Sequence, residues 1–195
     1  MVLIKNNITF LLTIYRNYLK KNFPCLLTHT IHGELFLIVP TSKLTNLIYF
    51  LNKHSHSQYK ILADICAIDY PWEKNRFKLY YNILSITFNS RLTIISALTE
   101  YSVLNSITFI YSAANWFERE IWDMFGIYFF NHFDLRRILT DYGFKGHPLR
   151  KDFPLSGYTE IRHSLNKNRI LVEKLNLCQD YKNFYFFNTW TKNFY

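Results

Sequence analysis

The spacing of apolar positions changes several times along the chain, and each change marks an element. In ITFLLTIYRNYLKKN (residues 8–22), Phe10, Leu11, Ile14, Tyr18 and Leu19 recur at the helical repeat, and Lys20 and Lys21 close the run. Cations suit the negative end of a helix dipole, so the spacing predicts a helix of three to four turns. CLLTHTIHGELFLIVP (25–40) reads as extended, with a turn at His32-Gly33 and a stop at Pro40. In TSKLTNLIYFLNKH (41–54), Leu44, Leu47, Ile48 and Leu51 form one apolar stripe, and Thr41 or Ser42 is placed to cap the second helix.

From Tyr59 to Thr99 the period shortens to two. YKILADICAIDYPW, RFKLYYNILSITF and RLTIISALT read as a three-stranded meander, with Pro71 ending the first strand and Asn89-Ser90 turning between the other two. With the strand before the second helix, the meander makes a small, mostly antiparallel sheet covered by two helices. The fold class is therefore α+β. The organisation expected is an α+β core over 1–125, an irregular segment over 126–160 and an extended C-terminal tail over 161–195.

A third, short helix opens at ANWFEREIWDMFG. Asn115 and Glu118 have capping-box spacing, Phe117, Ile121, Met124 and Phe125 form its apolar stripe, and Gly126 stands where a left-handed C-terminal residue belongs. Its polar side holds Glu118, Arg119, Glu120 and Asp123, with Arg119 and Asp123 at surface-pair spacing. Beyond Gly126 the period is lost up to Glu160. That stretch nevertheless carries Phe129, Phe130, Phe133, Leu135, Ile138, Leu139, Phe144, Phe153 and Tyr158, too much apolar surface to leave in water. The segment must pack, and a second protein is one thing it can pack on.

Charge sharpens this. The chain has 23 Lys+Arg against 14 Asp+Glu and a pI near 9.4, which admits nucleic acid, an acidic membrane surface or an acidic protein as partner. Between residues 118 and 160, however, acids and bases nearly balance, and the basic excess lies on the flanks. YKNFYFFNTWTKNFY (181–195) interleaves aromatics with bases, which suits stacking on RNA, but no RNA-recognition signature accompanies it. A basic ribosomal or RNA-associated protein is thus the alternative reading.

Catalytic and cofactor readings find little support in the pattern. Glu118 and Glu120 are two apart on a helix and face different directions, so they share no substrate position. His132 with Asp134, His147 with Asp152, and His29 with His32 match no recurrent ligand motif. Cys25, Cys66 and Cys178 are scattered and odd in number, which argues against disulfides, zinc and iron–sulfur ligation alike. No glycine-rich phosphate loop occurs. No apolar run is long enough to span a bilayer, and the first 23 residues show no removed targeting segment. The abundance of Phe, Tyr, Ile, Asn and Lys suits an A+T-rich organelle gene.

The string ANWFEREIWDMFGIYFFNHFDLRRILTDYGFKGHPLRKDFPLSGYTEIR closely resembles the signature of the 30-kDa subunit family of respiratory complex I, and ILVEKLNLCQDYKNFYFFNTW is similar to the family's tail. Phe133, Ser112-Ala113 and His163 depart from its usual residues at three turns. The resemblance implies a scaffold in the hydrophilic, matrix-side arm of a complex of the mitochondrial inner membrane, which passes electrons from NADH to ubiquinone and couples this to proton translocation. It implies no cofactor in this chain, with FMN, iron–sulfur clusters and NADH held by other subunits. The main partner it implies is the 49-kDa subunit that forms much of the quinone cavity, with no nucleic acid and membrane association only through the complex. The docking residues expected on this basis are Trp116, Glu118, Arg119, Glu120, Trp122, Asp123, His132, Asp134, Arg136, Arg137, His147, Arg150, Lys151, Asp152 and Phe153, with arginines for planar charge-assisted contacts and Trp116, Trp122 and Phe153 as buried anchors.

Overall fold

The computed structural model describes residues 2–184 other than 25, 32, 180 and 183, and only the backbone of residues 2–10. The chain divides into two compact units at Phe153/Pro154. The first holds α1 (Val2–Asn22), β1 (Leu27–Ile31), β2 (Glu34–Ile38), α2 (Thr41–Lys53), β3 (Ile61–Asp69), β4 (Phe77–Ser85), β5 (Ser90–Leu98), β6 (Leu104–Asn105), α3 (Ala114–Phe125) and β7 (Phe129–Phe130). The second holds β8 (Thr159–Ser164) and β9 (Arg169–Lys174).

Strands β1 to β5 form one sheet in the order β1-β2-β5-β4-β3, antiparallel throughout except where β2 runs parallel to β5. The parallel pair follows from the connection, since α2 crosses over between β2 and the meander. Period-two alternation puts Phe77, Leu79, Tyr81 and Ile83 of β4 and Leu92, Ile94 and Leu98 of β5 on the buried face. The α2 stripe of Leu44, Leu47, Ile48 and Leu51 packs into the same cluster, as do Leu19 of α1 and Ile121 and Phe125 of α3. Each such side chain contributes about 1.5 to 3 kcal/mol on full burial. The α+β class, the meander and the two covering helices read from the sequence are all present.

Several local readings are corrected. Helix α1 starts at Val2 rather than Ile8, and two members of its apolar stripe, Leu11 and Ile14, stay exposed at 64% and 52%. Pro40 precedes α2, and neither Thr41 nor Ser42 caps it with a side-chain bond. The turn between β4 and β5 takes four residues, Ile86 to Asn89, because Ser85 pairs with Ser90 and only Asn89 adopts positive φ there. Helix α3 starts one residue before Asn115, which makes no cap hydrogen bond. The two-residue strands β6 and β7, paired in parallel, are too short to have a period in sequence. The region after residue 160, read as an extended tail, contains the antiparallel β8–β9 hairpin, clipped by the bidentate Arg162–Glu173 pair. The aromatic tail lies outside the described residues from 185 onward, as does the His32 half of the His32-Gly33 turn.

Candidate functional site

Helix α3 is the centre of the dense stretch, and its polar side is turned inward. Ala114, Ile121 and Phe125 are buried in the core, yet Glu118 and Asp123 are fully buried too. The reason is the segment after Gly126, which returns over the helix as a strap instead of leaving it to solvent. Gly126 sits at φ 74, and a Cβ there would meet His147 Nε2 at 2.5 Å, so only glycine makes this turn without strain.

Asp123 anchors the strap. Its Oδ2 accepts the backbone N–H groups of Ile138, Leu139 and Thr140 at 3.1, 2.7 and 3.0 Å, and its Oδ1 accepts the Thr140 hydroxyl at 2.7 Å. Burial works against ionisation of this carboxyl, but the Thr140, Leu139 and Ile138 donors outweigh it and hold the group below the usual carboxylate range. The surface pair expected between Arg119 and Asp123 does not form. Arg119 instead donates to the Arg136 carbonyl at 3.3 Å and lies over the Trp116 ring at 5.1 Å.

The strap also closes the C-terminus of α3, where the last four carbonyls of a helix lack internal partners. Gly126 N–H takes the Trp122 carbonyl, His147 Nδ1 donates to that of Asp123 at 3.0 Å, Leu149 N–H to that of Met124 at 3.2 Å, and Arg150 Nε to that of Phe125 at 2.7 Å. Burial, aided by the Arg150 and Arg137 charges, lowers the pKa of His147 and favours its neutral form. Arg137 donates to the Gly146 carbonyl at 2.9 Å, Trp122 packs edge-on to Tyr128 and beside His147, and Phe153 lies against Phe144.

Three residues outside the expected set complete the clamp. Arg76 grips Asp69 with two bonds of 2.8 and 3.0 Å and reaches Asp152 at 3.0 Å, while Glu100 accepts from Arg150 at 2.8 Å. The Lys151 N–H also donates to Asp69, at 2.8 Å. Both guanidinium groups lie close to the Phe77 ring, at 5.2 and 5.3 Å from its centre. Despite burial, the Arg76 bonds and the Lys151 N–H hold the Asp69 carboxyl below its ordinary value. Only the acid ending an apolar strand, Asp69 before Tyr70-Pro71, hinted at this in the sequence.

At the other end of α3, Glu118 accepts the Ser106 hydroxyl at 2.6 Å and the Ile107 N–H at 2.8 Å, and burial pushes its pKa up to about 7 against those two donors. This bond to the loop after β6 replaces the capping box. His132 Nδ1 accepts the Asp134 N–H at 3.1 Å, and its Nε2 faces the Asn115 carbonyl at 3.3 Å. Glu120 and Arg136 stay exposed, the latter paired with Asp134 at 3.0 Å. Thus most of the flagged polar groups bond within the chain, and together they make a stiff strap.

Among the side chains the strap offers outward are several large apolar ones. Phe133 is 97% exposed, Tyr142 is fully exposed, and Leu139, Leu149 and Phe130 are each more than half exposed, as is Trp116 on α3. Among the described residues no group of three or more metal-ligand side chains comes together, and Cys66 and Cys178 are free thiols. No described helix is long and apolar enough to cross a membrane.

The family described as respiratory-chain NADH dehydrogenase, 30 Kd subunit, matches residues 37–159, a span holding most of the sheet, all of α3 and the whole strap. The chain belongs to that 30-kDa subunit family. It is 47% identical to NADH-ubiquinone oxidoreductase subunit 9 of Reclinomonas americana over 87% of this chain and 84% of that protein. It is 46% identical to NADH dehydrogenase [ubiquinone] iron-sulfur protein 3 of Arabidopsis thaliana over 82% of this chain and 83% of that protein. In fold it resembles a chain in the membrane-bound sulfane sulfur reductase (MBS), an archaeal respiratory membrane complex, with a TM-score of 0.64 at 20% identity over 73% of this chain and 85% of that one. As a member of the 30-kDa family the chain works among other subunits of a respiratory complex, and the RNA-associated reading has no support.

Proposed function

We propose that this chain is a structural, non-catalytic subunit of mitochondrial NADH:ubiquinone oxidoreductase, placed in the matrix-side arm and docked through its strap, chiefly on the 49-kDa quinone-site subunit. The observation that carries this reading is the contrast between the two sides of the strap. Inward, its polar groups are bonded to Asp123 and to the α3 carbonyls. Outward, Phe133, Tyr142 and Leu139 stand in solvent on a backbone that is already fixed. Large apolar groups held rigidly at low entropic cost are what an interface core needs.

The chain carries no redox group in this account. Its plant relative is named an iron–sulfur protein, but the donor set here does not fit a cluster. Iron–sulfur clusters take four protein ligands, mostly thiolates. This sequence has three cysteines, and among the described residues no group of three ligands converges. FMN, NADH and the clusters then belong to other subunits, and the membrane is reached only through the complex. Cross-linking mass spectrometry on the intact complex tests the docking: cross-links from Lys145 and Lys151 should fall mainly on the 49-kDa subunit. Their absence from that subunit would reject the partner assignment.

A further inference from the structure

Two carboxylates five residues apart on α3 are both fully buried and have opposite surroundings. Asp123 receives four hydrogen bonds and has Arg137 at 3.5 Å. Among the described residues Glu118 receives two, one on each oxygen, from the Ser106 hydroxyl and the Ile107 N–H. An ionised carboxylate offers about four acceptor sites, and a buried charge that is neither paired nor fully hydrogen-bonded is unfavourable. Among the described residues no lysine or arginine pairs with Glu118. The groups facing it are Ser106, Ile107 and Thr108 from the loop after β6, His132 from the strap, and Tyr81 from β4.

The orientation of the His132 ring is fixed by two contacts. Its Nδ1 accepts the Asp134 N–H, so the ring proton sits on Nε2, which faces the Asn115 carbonyl and lies 3.9 Å from the Glu118 carboxylate. Tyr81 is fully buried, and among the described residues its hydroxyl has no hydrogen-bond partner. Ser106 is different, because its hydroxyl also lies 2.8 Å from that of Thr108, which is only half-buried. The three side chains form a hydroxyl-lined route from the buried carboxyl towards solvent.

We propose that Glu118 is a proton-binding site inside the folded chain, filled and emptied through the Ser106–Thr108 hydroxyl pair. With the carboxylate ionised, Ser106 donates to it. When a proton from solvent enters at Thr108 and is passed inward, the new carboxyl O–H donates to Ser106, whose own proton turns to Thr108. No other bond changes, and the proton returns to solvent the same way. Separating a pair of like groups into one saturated and one starved of donors is how folded proteins assign permanent and exchangeable charge.

The test is a carboxyl-carbon NMR titration of the full chain labelled at glutamate. One resonance should titrate with a midpoint of about 7, and that resonance should vanish in Glu118→Gln. Ser106→Ala, which removes a donor to the ionised form, should raise the midpoint further. Ser106→Thr, which keeps the hydroxyl, should leave it in place. The wild-type titration is decisive even where a variant fails to fold. All glutamate midpoints falling below about 5.5, or a Ser106→Ala midpoint equal to wild type, would overturn the proposal.

Discussion

Asp123 and Thr140 are joined twice, the Thr140 hydroxyl to Oδ1 at 2.7 Å and its backbone N–H to Oδ2 at 3.0 Å. A single helix residue thereby fixes a loop seventeen positions away. Asp123→Ala would remove the acceptor of the backbone N–H groups of Ile138, Leu139 and Thr140, and each hydrogen bond to a charged group contributes about 1.5 to 3 kcal/mol. Urea unfolding of the variant should show a loss of at least about 3 kcal/mol. A loss below about 1 kcal/mol would mean that the strap is held elsewhere.

The two buried carboxyls of α3 give stability opposite slopes with pH. Asp123 is held below its ordinary value, so its contribution is present above an unfolded pKa near 3.8 and is lost as pH falls through the lower folded value. Glu118 is raised, so its contribution is full below about 4.5 and is lost as pH rises to about 7. Unfolding midpoints of Glu118→Gln across pH 4.5 to 7 should therefore decline less than those of wild type. Parallel curves would show that another group sets the slope.

Gly126→Ala places a methyl against the His147 ring and Arg150 in a backbone conformation that alanine resists. The left-handed conformation alone costs about 1 to 2 kcal/mol, and the clash adds to it. Thermal unfolding should fall by several degrees, with faster proteolysis in the strap. An unchanged melting temperature would show that His147 moves aside freely.

The arginines of the strap divide by what they touch. Arg150 holds the last carbonyl of α3 and Glu100, so Arg150→Ala should destabilise the free chain by about 2 kcal/mol or more. Arg136 is exposed beside Asp134, so Arg136→Ala should cost within about 0.5 kcal/mol. Equal effects in denaturant titrations would contradict this division.

The sheet and the covering helix α2 were legible because alternation and the helical repeat are local signals, and Leu44, Leu47, Ile48 and Leu51 face inward as their spacing indicates. The place of α3 was legible from its stripe and Gly126. The fate of its polar side was not, because Glu118 and Asp123 find their partners at 106–107 and 138–140, and no periodicity reports such pairings. Arg76, Asp69 and Glu100 escaped notice for the same reason. Asp69 ends β3, Arg76 precedes β4 and Glu100 follows β5, and only the register of those strands brings them to one end of the sheet. The apolar residues of the strap are too numerous by pattern to leave in water, yet Phe130, Phe133 and Leu139 remain exposed in the free chain, which is the feature that points to a partner.

The central claim is that this chain positions other subunits and performs no chemical step. Phe133→Asp tests it most directly, since a side chain 97% exposed can be changed without disturbing the free fold. The measurement is ubiquinone reduction by NADH per assembled complex, alongside the amount of complex assembled. The account predicts that the amount falls several-fold while turnover per assembled complex stays at the wild-type value. Full assembly with ubiquinone reduction lost would contradict it and place the strap in the reaction itself.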